Sequence, residues 1–228
     1  SSLMRFHDRI LIAFPGICVA EGDIRSVRIT HESDELNVLK KEIIQQIKSQ
    51  YTLEKVKDEP FFRAYRDFFW SVGVDPTKTR PASEALVRRI LSGGSLPRIN
   101  TAVDAYNLAS VRSGVPIGAF DGDTLEGDLT MRFSAEGERF LGIGMEKSLM
   151  LRPNQVVLTD SEQIIAVYPY RDSDATKVTT GTRNIHIVAC GVPKVERKRV
   201  VEGYELCAGY LERYCGGFAS PAKIFPLH

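Results

Sequence analysis

The densest group of reactive side chains in the sequence is Tyr168-Pro169-Tyr170-Arg171-Asp172-Ser173-Asp174-Ala175-Thr176-Lys177-Val178-Thr179-Thr180-Gly181-Thr182. It offers carboxylates that can hold or move protons, cations that can pair with an anion, and hydroxyls that can hydrogen-bond a polar ligand. It falls between two segments that read as strands, and it is long for a hairpin connection. Long loops carried on a rigid sheet are common places for binding and catalysis. The equal alternative is an exposed loop whose Ser and Thr hydroxyls bond their own backbone.

Other chemistry is poorly represented. No phosphate-binding glycine loop, metalloprotease helix, calcium loop or nucleophile elbow occurs, and Gly142-Ile143-Gly144 lacks the third glycine of a dinucleotide fingerprint and reads as a turn. His7, His31, His186 and His228 are far apart in sequence. His186, within Ile185-His186-Ile187, reads as a half-buried sheet residue, and neither a metal site nor a cofactor is expected. Cys18, Cys190, Cys207 and Cys215 have apolar neighbours and no two-residue spacing, which predicts buried free thiols and a cytoplasmic setting. The apolar runs fall far short of the roughly 20 residues of a membrane span, and no secretory signal pattern is visible, so no membrane partner is expected.

Lys and Arg number 30 against 29 Asp and Glu, a balance that excludes a whole-surface polycation. The distribution is uneven. Between Phe61 and Asn100, Arg63, Arg66, Lys78, Arg80, Arg88, Arg89 and Arg98 outnumber Asp67, Asp75 and Glu84, while Asp121 to Glu138 is strongly acidic. A local phosphate-binding face is compatible with this pattern, as is a solvated helix surface.

These residues must be positioned by a mixed set of elements. Asp8 to Phe14 reads as a strand broken by Pro15-Gly16, and Arg25 to Thr30 as a second. Ser33 caps a helix through Gln50 with Leu36, Leu39, Ile43 and Ile47 as its stripe. Pro60 starts a helix whose Phe61, Phe62, Tyr65, Phe68 and Phe69 are expected in the core rather than as a base-stacking platform. Pro81 opens a further helix, and Asn100 or Thr101 caps one that ends at Gly114, Thr101 and Asp104 matching a capping box. After Ile117 the period becomes strand-like, with strands at Leu129 to Phe133, Arg139 to Ile143, Gln155 to Leu158, Ile164 to Tyr168 and Asn184 to Cys190. A last helix spans Arg197 to Cys215. Helices, then strands, then a helix argue for an α+β fold.

The stretch Leu96-Pro97-Arg98-Ile99-Asn100-Thr101-Ala102-Val103-Asp104-Ala105-Tyr106-Asn107, followed by Gly114-Val115-Pro116-Ile117-Gly118-Ala119-Phe120-Asp121, resembles the B3/B4 module of the bacterial phenylalanyl-tRNA synthetase beta subunit. The likeness continues through Leu125-Glu126-Gly127-Asp128, Gly137-Glu138, Val156 to Asp160 and Thr182-Arg183-Asn184, and covers about Pro81 to Cys190. No other synthetase module is resembled. The resemblance implies a freestanding B3/B4 protein, one domain over residues 1–228 with residues 1–59 as an N-terminal strand and helix extension. It implies mixed β-sheets flanked by helices, tRNA rather than DNA as partner, and hydrolysis of a mischarged aminoacyl ester in trans.

Two departures from the family pattern bear on that activity. The family's His-Ala-Phe-Asp reads Gly118-Ala119-Phe120-Asp121 here, and Val188 stands where the synthetase carries a glutamate that recognises the tyrosine hydroxyl. Without that buried acceptor, clearance of tyrosine is not expected. The family's glycine-rich segment is replaced by Tyr168 to Asp174, so the resemblance places a site on this loop, the Gly118 to Asp121 turn and the Thr179 to Asn184 edge. In such a site Arg171 would contact the terminal phosphate or the amino acid, and Asp172 or Asp174 would hold the amino group or orient water. Ser173, Thr179 and Thr182 would bond the ribose or ester, with Gly118, Asp121, Tyr168, Tyr170 and Asn184 lining it. The competing expectations are a tRNA-binding module without chemistry and a small-molecule amino-acid binder.

Overall fold

A computed structural model describes residues 3–227, so His228 lies outside the described residues. Two sheets and a helical layer share one apolar core. The first sheet runs β1 (Met4–Phe6), β4 (Leu129–Phe133), β7 (Val156–Thr159), β8 (Ile164–Val167), β9 (Arg171–Asp172). β1 is parallel to β4 and the other pairs are antiparallel. The second runs β11 (Phe218–Ala219), β2 (Val19–Arg25), β10 (Ile185–Cys190), β3 (Ile117–Asp121), with β12 (Lys223–Phe225) pairing further along β2. β5 (Arg139–Phe140) and β6 (Leu149–Met150) form a separate hairpin.

The long helices follow the sequence pattern. In α2 (Asp34–Gln50) the Ser33 hydroxyl accepts from the Leu36 N–H at 3.3 Å, acidic residues occupy the first turn, and Leu36, Leu39, Ile43 and Ile47 are buried. α3 (Pro60–Ser71) buries Phe62, Tyr65, Phe68 and Phe69 as core, and Arg89 lies in the last turn of α4 (Ala82–Leu91). α5 (Thr101–Ser113) is buried on nearly every side, between α6 (Arg197–Cys215), α2 and α4. Asn100 is its cap, accepting from the Val103 N–H at 2.9 Å. Thr101 instead accepts from the Thr30 N–H, and Asp104 from the Ile99 N–H, so the capping box is not formed. Gly114 closes the helix with a φ of 78°, a conformation that favours glycine.

Three expectations are corrected. Asp8 to Phe14 is a short helix, α1 (Asp8–Ala13), because the His7 side chain accepts from the Arg9 N–H and only Ile10 and Phe14, four residues apart, are buried in the apolar run. The second strand lies upstream of Arg25 to Thr30, ending where Ser26 adopts a φ of 61° and leaves the ladder. The strand at Arg139 to Ile143 stops at Phe140, since the chain bends through Gly142 to meet Ser173. The paired C-terminal segments β11 and β12 had no counterpart among the expected strands. All four cysteines are buried free thiols, and no described helix is long and apolar enough to cross a membrane.

Candidate functional site

The register of the second sheet sets the geometry. Gly118 on β3 is the Cα partner of Val188 on β10, so the two positions that depart from the synthetase pattern face each other across adjacent strands. Residues directly opposite in an antiparallel pair project to the same side of the sheet. Above them opens a cleft of about 960 Å³ at the junction of the two sheets and α5. Val188, Phe120, Leu158, Ala166 and Val178 give it an apolar interior, and Tyr106, Asn107, Arg171, Asp172 and Thr179 bring polar groups to its wall.

Gly118 makes room for Asp172. A Cβ at position 118 would lie 3.3 Å from Asp172 Oδ1, so the carboxyl occupies space that a side chain there would contest. The Ala119 N–H donates to Asp172 Oδ2 at 3.4 Å, and Asp172 makes no ion pair among the described residues. Burial raises the Asp172 carboxyl to about 7, opposed by that single backbone donor. The Tyr106 phenol, which lines the same cleft, is pushed up by burial and then by the Asp172 charge.

Around this carboxyl the loop is ordered rather than free. Tyr168 is buried, and its hydroxyl donates to the Gly191 carbonyl at 2.5 Å and lies 3.2 Å from the Cys18 carbonyl. Tyr170 packs in a tilted arrangement against the Phe69 ring, centroids 5.2 Å apart, tying α3 to the cleft wall. β9 carries Arg171 and Asp172 at the edge of the first sheet, and a 3-10 turn follows at Asp174–Thr176. The Asp172 carbonyl accepts from the Ile143 N–H, so the β5–β6 hairpin is anchored to the same strand and supplies Ile143 and Gly144 to the rim.

The structure divides the expected site residues into two sets. Arg171, Asp172, Gly118, Tyr168, Tyr170 and Thr179 line the cleft together. Ser173 is buried with its hydroxyl 2.8 Å from that of Thr176, and Asp174 pairs with Lys177 at 2.8 Å. Asp121 caps the turn that follows β3 and accepts from the Thr182 hydroxyl at 2.9 Å. Asn184 accepts from the Ser26 N–H and donates to Asp123. Those five side chains stabilise turns outside the cleft. Tyr106, Asn107, Lys177 and Arg89 line it as well, although none was among the residues expected to form the site. A tyrosine and an asparagine adjacent on a helix otherwise rich in Ala and Val were the available signal for the first two.

Two sheets meeting beneath a buried helix around one carboxyl define an α+β protein with a ligand-sized cleft. The B3/4 domain family model matches residues 64–216, and the chain belongs to that family. The phenylalanine–tRNA ligase beta subunit of Fusobacterium nucleatum is 30% identical over 159 residues, 69% of this chain and 19% of its own length. That of Synechocystis is 32% identical over 115 residues, covering 47% of this chain and 14% of its own. The chain thus spans a fifth or less of these curated relatives. An N-terminal fragment of the phenylalanyl-tRNA synthetase beta subunit from Pyrococcus horikoshii matches 98% of this chain and 50% of its own with a TM-score of 0.52, a likeness of fold at 15% identity.

Proposed function

We propose that the cleft receives the aminoacylated 3′ end of a tRNA and hydrolyses a mischarged ester in trans. The observation that carries this reading is the lone Asp172 carboxyl held in an apolar cleft beside Gly118. A carboxyl raised to about 7 is a substantial fraction ionised at neutral pH and still accepts a proton, the property wanted in a general base. In this mechanism Asp172 orients a water and takes its proton as the water oxygen attacks the ester carbonyl. The ribose oxygen leaves with a proton, releasing the amino acid and an uncharged tRNA end. Arg171, exposed at the rim, meets the terminal phosphate, and the Thr179 hydroxyl, whose oxygen accepts from the Gly181 N–H, donates to the ribose or ester. With Val188 and Phe120 on the floor, the accepted amino acid is one without a hydroxyl that needs a buried acceptor.

The second reading is a tRNA-binding module without chemistry, favoured by the exchange at Gly118 and Val188 of the residues found in the synthetase. A deacylation assay over a panel of mischarged tRNAs separates the two. Hydrolysis of at least one ester, lowered about 100-fold or more by Asp172→Asn, is expected for the enzyme. Binding with no turnover on any ester establishes the module instead, and affinity for a free amino acid with no RNA binding establishes a small-molecule binder.

A further inference from the structure

Away from the cleft, three arginines converge on one carboxylate at the corner between α3 and α4. Glu84 is fully buried. Arg66 meets it with two parallel bonds of 2.7 and 2.6 Å, Arg88 adds a third of 2.6 Å, and Arg80 stands 3.7 Å away. One negative charge therefore faces three positive ones. The carboxylate oxygens are engaged by Arg66 and Arg88, so the Arg80 guanidinium and the outer nitrogens of Arg88 keep donors to spare. Burial first, then repulsion from Arg88 and Arg66, holds Arg80 below its ordinary pKa against the opposing pull of Glu84.

Arg66 also opens onto a neighbouring groove of about 270 Å³ that it shares with Lys57, Arg63, Trp70 and the carboxylates of Asp58 and Asp67. Asp58 stands 3.7 Å from Arg63, and the cations of the groove and the corner together still outnumber the acids. Arg63, Arg66 and Trp70 follow at three and four residues on α3 and so form one face of that helix. Trp70, the single tryptophan of the chain, is 58% exposed, whereas Phe62, Tyr65, Phe68 and Phe69 of the same helix are buried. Phosphate donors in excess beside an exposed aromatic face are the two parts of a site for unpaired nucleotides, the guanidiniums taking the backbone and the ring taking a base. α4 carries both halves of a path, since Arg88 belongs to this corner and the adjacent Arg89 lines the cleft.

We propose that the α3–α4 corner is a second binding site, in which Arg80 and Arg88 hold an RNA phosphate and Trp70 stacks on an unpaired base. The inference rests on RNA as the partner proposed for the cleft, but not on any chemistry there. The test titrates the full chain with deacylated tRNA, a single-stranded oligoribonucleotide and its duplex, following filter retention and Trp70 emission in parallel. Single-stranded RNA and tRNA quench Trp70, and the duplex does so less. Trp70→Ala weakens retention about tenfold. Arg80→Ala, which breaks no hydrogen bond to Glu84, weakens it several-fold and lowers the salt slope by about one.

Retention of tRNA with silent Trp70 emission and an unaltered Arg80→Ala overturns this site and leaves the cleft reading intact. Quenching by RNA with no hydrolysis of any ester overturns the deacylase and leaves the corner site standing. Absence of retention for every RNA overturns both, and quenching by inorganic phosphate alone overturns the nucleotide assignment.

Discussion

Asp172 owes its character to what surrounds it rather than to any partner. Burial favours its neutral form, and the one backbone donor at 3.4 Å does not restore the charged one. The folded chain therefore binds this proton more tightly than the unfolded chain, in which the carboxyl has its ordinary value of 3.8. The contribution of Asp172 to stability falls as pH rises from about 4 to about 7 and is level above that, by on the order of 2 kcal/mol once screening by cleft water is allowed for. Denaturant unfolding of the wild type should record that decline, and Asp172→Asn should flatten it; an undiminished slope in the variant would assign the titration to another group. Ser83 gives a contrasting case. Its hydroxyl is buried without a partner among the described residues, so Ser83→Ala is expected to leave stability unchanged or raise it by up to about 1 kcal/mol. Loss of stability in that variant would reveal a partner for the hydroxyl.

At the scale of elements, the pairing of β2 with β10 carries an ionic cross-link. His186 lies between Asp23 and Glu21, its Nδ1 and Nε2 each 2.8 Å from a carboxylate oxygen, and it is nearly wholly buried. Burial opposes its charge, but the bonds to Asp23 and Glu21 outweigh that and raise it to about 9 from an ordinary 6.5. A raised histidine stabilises fully below about pH 6.5 and loses that contribution as pH rises through about 9. His186→Ala strands Glu21, whose Oε1 already lacks a partner, and should destabilise by about 3 kcal/mol at pH 6, with the gap closing toward pH 9. Thermal unfolding at the two pH values checks it; a gap independent of pH would make the loss one of packing alone. The sequence could place His186 on a strand but not beside Asp23 and Glu21, because that pairing depends on the register of residues more than 160 positions apart.

The same division runs through the other elements. α2, α3, α4 and α6 were legible because their apolar residues repeat at helical spacing, and α5 because Asn100 and Gly114 mark its two ends. α1 was not, since a five-residue apolar run suits a buried strand and a short helix equally. In the site, Gly118, Arg171 and Asp172 could be anticipated together because the family pattern changes at one end while the glycine-rich loop changes at the other. Ser173, Asp121, Thr182 and Asn184 carry the same polar chemistry, and only tertiary structure reveals that turns consume it.

For the whole molecule, the cleft exists because two sheets are locked at a fixed distance, and Tyr168 is a principal link. It leaves the end of β8 in the first sheet, and its hydroxyl reaches the Gly191 and Cys18 carbonyls, which lie just past β10 and before β2 in the second. Tyr65 from α3 donates to the Cys190 carbonyl at 2.7 Å, so a helix fastens the same corner. One continuous apolar core joins both sheets to the helices, with only a small satellite cluster around Phe140, Leu151, Val157 and Val167. A chain built this way should unfold as one unit, with residues 3–59 melting together with the remainder rather than ahead of it. Tyr168→Phe keeps the ring and removes the link, leaving the Gly191 carbonyl without its donor while the Cys18 carbonyl still accepts from the Gly191 N–H, at a cost of about 1 to 3 kcal/mol. Denaturant unfolding followed by far-ultraviolet dichroism and Trp70 emission should give coincident curves for both proteins, the variant's midpoint lowered and its slope unchanged. Separate midpoints for the two probes would divide the molecule into independently stable parts, and the cleft between the sheets would then be an adjustable gap instead of a preformed site.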